Sequence, residues 1–91
     1  MNDASVKFRL RDSDLAWQNI RGELVAIDMR SEVYLNGNRT AIVVWEMLEP
    51  GATRAELAQR LVAEFDIEPD RALSDVDGFL AELQVAGLLA E

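Results

Sequence analysis

The chain contains neither cysteine nor histidine. Without cysteine there is no disulfide framework and no thiolate metal site. Without histidine, the nucleophilic triads that use an imidazole base and the usual zinc sites are excluded as well. Long apolar runs are also missing. The longest, Ala41 to Trp45, is far too short to span a bilayer, and the opening MNDASVKFRLRD has no apolar stretch of signal-peptide length. A soluble cytoplasmic protein with no membrane partner is the expectation. Basic residues are scarce in one half only. Residues 1–45 carry six basic and six acidic side chains, whereas residues 46–91 carry three Arg against eleven Asp or Glu, so the net charge of −8 sits in the second half. That half repels a phosphate backbone and accepts a basic, neutral or apolar partner.

What is present suits one small globular domain spanning residues 1–91, with 49% hydrophobic and 29% charged residues. VKFRLR alternates strictly, Val6, Phe8 and Leu10 against Lys7, Arg9 and Arg11, which is the period of a half-buried strand. LAWQNI is a second, weaker extended piece. Leu24–Met29 is apolar on both faces, as a central strand is, and Arg30-Ser31 turns the chain into Glu32–Leu35. Short strands so closely spaced predict an antiparallel meander over residues 5–36.

From Asn38 the period becomes helical. Asn38 is a good N-cap, Ala41, Trp45 and Leu48 form an inward stripe, and Pro50-Gly51 stops the helix. TRAE, from Thr53 to Glu56, is a capping box opening a second helix with Leu57, Leu61 and Phe65 on its apolar face. Pro69 suits the first turn of a third helix that runs to about Ala86, with Gly87 as its C-cap and a start or bend near Ser74–Asp77. Helices thus fill residues 38–87. Strands followed by helices predict an α+β domain, a small winged helix-turn-helix with a three-stranded antiparallel sheet and a three-helix bundle.

The sequence offers no catalytic constellation, no metal site and no cofactor loop. Asp66, Glu68 and Asp70 alternate, but an EF-hand also needs a central Gly and a terminal Glu. These acids, like Asp75 and Asp77, read as helix-dipole partners on a solvated face. A DNA-reading third helix needs basic or amide side chains. Pro69–Ala86 instead sets Arg71 against Asp70, Asp75, Asp77 and Glu82, so no nucleic-acid partner is expected. The third helix has more apolar residues than one stripe needs: Ala72, Val76, Phe79 and Leu83 on one line, Leu73 and Leu80 on the next. Gly78 interrupts it at a cost of roughly 1 kcal/mol relative to Ala. Two readings of Glu32–Leu35 stand side by side: an edge strand open to an extended peptide, or an edge kept short against aggregation.

The order of YLN…TA…W..L, G.T..EL...L...F and DV..FL..L...GLL, spread over Gly22 to Leu89, resembles the PqqD family of RiPP precursor recognition elements. The resemblance implies that a precursor's leader peptide binds as an added strand between the third strand and the third helix, without chemistry by the domain itself. It implies a docking strand of Glu32, Val33, Tyr34 and Leu35, facing Ala72, Asp75, Val76 and Phe79. The length looks like that of the free-standing recognition protein of lasso-peptide pathways, whose partner is a leader-cleaving cysteine protease. The alternative is the version that delivers a pyrroloquinoline quinone precursor to a radical-SAM enzyme. Its Pro-Glu-like element after the second strand is replaced here by Asp28-Met29-Arg30-Ser31.

Overall fold

A computed structural model describes residues 6–90; the expected start of the sheet at residue 5 lies outside them. In chain order the elements are β1 (Lys7–Phe8), β2 (Leu15–Ile20), β3 (Glu23–Asp28), β4 (Val33–Gly37), α1 (Arg39–Leu48), β5 (Ala52–Thr53), α2 (Arg54–Phe65) and α3 (Pro69–Val85). Strands β2, β3 and β4 form an antiparallel sheet in that order. Arg21 and Gly22 join β2 to β3 with φ of 56° and 85°. Positive φ at both central residues is the geometry that matches a two-residue turn to the twist of its strands. Leu24, Ala26 and Asp28 of β3 face inward and are buried, opposite Gly37, Leu35 and Val33 of β4.

The meander differs from the expected one at its start. VKFRLR contributes only the two residues of β1, which pair with β5, followed by a bridge from Leu10 to Leu89. The supposedly weaker LAWQNI is the sheet's third strand instead, pairing along all six residues with β3. Alternation alone marked VKFRLR as a strand but could not name its partner. That partner is the distant strand β5, Ala52–Thr53, together with the C-terminal segment at Leu89.

The helices follow their local signals. The Asn38 side chain accepts from the Ala41 amide at 3.0 Å and opens α1. Thr53 and Glu56 close a reciprocal capping box on α2, at 3.1 and 2.8 Å. The Ser74–Asp77 signal, by contrast, does not start α3, which already begins at Pro69 and runs through it. Asp77 holds Arg54 of α2 through two hydrogen bonds, of 2.6 and 2.8 Å. At the other end Ala86 is the C-cap and Gly87, with φ of 73°, follows it. The Gly87 and Leu88 amides donate back to the carbonyls of Gln84 and Leu83, at 3.1 and 3.0 Å. That pattern satisfies the free carbonyls of the last turn. Trp45, Leu48, Leu57 and Leu61 lie at the centre of the core with no exposed surface.

A partly buried ion pair ties the sheet to both ends of the domain. The Arg11 guanidinium donates to the Asp28 carboxylate and to the carbonyls of Ser13, Asp14 and Gly87. The bond from Arg11 is the main reason the Asp28 pKa is lowered from 3.8 to about 2. A carboxylate depressed by folding stabilises above its unfolded pKa, and that contribution disappears as pH falls through the folded value. The urea midpoint of the native protein is therefore expected to fall between about pH 4 and pH 2. In Asp28→Asn the midpoint starts lower at pH 7 and falls less over the same window. Parallel falls in both proteins would assign the acid sensitivity to other carboxylates.

Candidate functional site

Among the described residues, β4 is an end strand of the sheet, paired with β3 on one side only. Across from its other side stands α3, and between them runs a groove of about 540 Å³. Leu35, Asn36 and Gly37 form the strand wall, with Arg71, Asp75, Gly78, Phe79 and Glu82 on the helix wall. Thr40, Ala41 and Val44 of α1 and Leu61 of α2 contribute the floor. The start of α1 can lie close under the strand because residue 37 is glycine. A Cβ there would stand 2.6 Å from that of Ala41, closer than packed carbons approach.

The groove combines an unpaired strand edge with an apolar base and a charged helical rim. Its strand and α1 walls carry no ionisable side chain, while α3 supplies Arg71, Asp75 and Glu82. Arg71 and Asp75 approach to 3.9 Å and partly offset each other. A free edge offers main-chain hydrogen bonds to an extended segment, and an apolar floor offers side-chain contact. The same surface has little to hold a phosphate backbone, because its net charge is negative.

Of the residues named from sequence, Leu35, Asp75 and Phe79 line this groove. Ala72 and Val76 do not: both are completely buried and hold α3 against the bundle. The buried stripe of α3 is Ala72, Val76, Leu80 and Leu83, which leaves Phe79, rather than Leu80, on the groove side. Glu32 precedes the strand in a turn with φ of 61°. Tyr34 is 72% exposed and belongs to the opposite face of the sheet, beside Val25 and Ile27. Val33 is exposed at the far end of β4. Sequence reasoning missed Asn36, Arg71, Gly78 and Glu82. Arg71, Asp75, Gly78 and Glu82 share a face at i, i+4, i+7 and i+11, and this polar stripe bordering the apolar one was the available signal.

The fold is that of a small winged-helix domain with a groove between an end strand and its third helix. The chain matches the family described as Coenzyme PQQ synthesis protein D (PqqD) over residues 23–89 and belongs to that family. Among curated proteins none matches it in sequence. Among solved structures, it resembles lasso peptide synthetase B1 complexed with the leader peptide, with 28% identity and a TM-score of 0.81, over 94% of this chain and 100% of that one. It also resembles TbiB1 in complex with the TbiA(beta) leader peptide, at 22% identity and a TM-score of 0.81, covering 89% and 93% of the two chains. A third similar structure is the PqqD truncation of Methylobacterium extorquens PqqCD, a stand-alone RiPP recognition element. There the identity is 22% and the TM-score 0.72, over 97% of this chain and 93% of that one. No helix among the described residues is long and apolar enough to cross a membrane.

Proposed function

We propose that the protein is a non-catalytic recognition element that binds the leader region of a ribosomally synthesised precursor peptide. The leader adds as a strand to β4, in the groove facing α3, and the bound precursor is presented in the cytoplasm to a separate lasso-peptide leader-cleaving cysteine protease. The observation that carries this reading is the unpaired edge of β4 set across an apolar floor from α3. The likeness to lasso peptide synthetase B1, which extends over that whole chain, supports the lasso-peptide assignment. The family's own description, a coenzyme PQQ synthesis protein, favours a second reading in pyrroloquinoline quinone assembly, where the precursor would be delivered to a radical-SAM enzyme.

Fluorescence anisotropy tests the binding class. The probes are a fluorescein-labelled peptide with the leader sequence of the precursor gene beside this protein's own, and a labelled duplex DNA. The peptide is expected to bind with an affinity that changes less than about threefold between low and moderate salt, since strand pairing and apolar contact dominate. The duplex is expected not to bind even at low salt. Duplex binding that falls steeply with salt, without peptide binding, would mark a DNA-binding regulator instead.

A further inference from the structure

We propose that Gly78 keeps open a side-chain subsite in the α3 wall, which takes one bulky side chain of the bound peptide. The inference rests on the groove being the peptide site. Gly78 is the tenth of the seventeen residues of α3, where glycine is unfavourable, and the helix continues through it without a break. No contact among the described residues requires a glycine there. A Cβ built at Gly78 meets no atom within 4 Å, whereas one built at Gly37 would collide with Ala41. Gly37 is glycine because the chain has no room there; Gly78 is glycine although the chain has room.

The open space is not on an arbitrary face, since Gly78 lines the groove. Asp75 lies three residues before it and Glu82 four residues after, so both flank the gap on the same helical face, with Phe79 beside it. The missing side chain therefore leaves a notch between two longer ones, opposite the free edge of β4. Side chains of an added strand alternate in direction. Successive residues of a peptide on β4 cannot all point at α3, and the notch gives one of those that do a defined place and size limit.

The test uses Gly78→Ala and Gly78→Leu with a peptide selected on the native protein from a random twelve-residue display library, measured by anisotropy. Helix propensity predicts that Gly78→Ala raises Tm by about 4 °C. Filling the notch predicts the opposite sign for binding: a loss of about threefold for Ala and at least about tenfold for Leu. Trimming one peptide residue to Ala should weaken binding to the native protein and restore binding to Gly78→Leu. If both variants bind as the native protein does, while Phe79→Ala still loses binding, the subsite is refuted and the groove stands. If Phe79→Ala binds normally as well, or the native protein selects no peptide, the groove reading falls with it.

Discussion

Phe79→Ala is expected to weaken leader binding by about ten- to a hundredfold while leaving the far-ultraviolet circular dichroism unchanged. Phe79 is half-buried on the groove wall, so it has both a fixed position and a surface to offer. Aromatic side chains with those properties dominate peptide interfaces, because they contribute large contact area and have few rotamers to lose. Its neighbour Leu80 provides the control. Leu80 is buried in the bundle, so Leu80→Ala is expected to lower stability by about 2 kcal/mol or more. At temperatures where Leu80→Ala stays folded, its affinity should remain close to native. Anisotropy and thermal melts of the two variants separate these effects. Equal losses of affinity at constant fold would mean that the helix acts as a whole, with no distinct groove face.

Trp45→Ala is expected to be the most damaging single change to the fold. Trp45 has no exposed surface, and its ring meets that of Trp17 edge to face, with centroids 6.2 Å apart and planes at 70°. Trp17 in turn donates from its indole nitrogen to Glu49 at 2.9 Å, fastening β2 to the end of α1. Removing the Trp45 ring loses its burial and opens a cavity where the sheet meets the helices, a cost of about 3–5 kcal/mol. Domains of this size have about 5–15 kcal/mol in total. Tm should therefore fall by at least about 12 °C. Trp45→Phe is expected to lose much less. The indole nitrogen of Trp45 has no hydrogen-bond acceptor among the described residues, so a phenyl ring gives up area without giving up a bond. Thermal melts followed by circular dichroism would measure both variants. A Trp45→Phe loss as large as that of Trp45→Ala would mean that the indole nitrogen is bonded in solution.

The helices were legible because their signals are local. Asn38, the Thr53–Glu56 pair and Pro69 act within three or four residues, and each stands where its sequence pattern put it. The sheet was only half legible, because pairing depends on distant partners. Nothing within VKFRLR announces Ala52–Thr53 or Leu89. The end strand was found, but its faces were not. Val33, Tyr34 and Leu35 are all apolar enough for either side, and only the register that sets Leu35 opposite the buried Ala26 turns Tyr34 away from the groove. The third helix posed the same difficulty. It is apolar over more than one stripe, so periodicity alone could not choose between Phe79 and Leu80. Gly78 was noticed as a cost, but its open surroundings became visible only in three dimensions.

Strand addition is tested most directly by isotope-filtered nuclear Overhauser measurements on the labelled protein with unlabelled leader peptide. The expected result is a ladder of backbone contacts between the peptide and Leu35 and Asn36, with side-chain contacts to Phe79, and slowed amide exchange along β4. Contacts confined to Tyr34, Val25 and Ile27 on the outer face of the sheet, with β4 exchange unchanged, would contradict it.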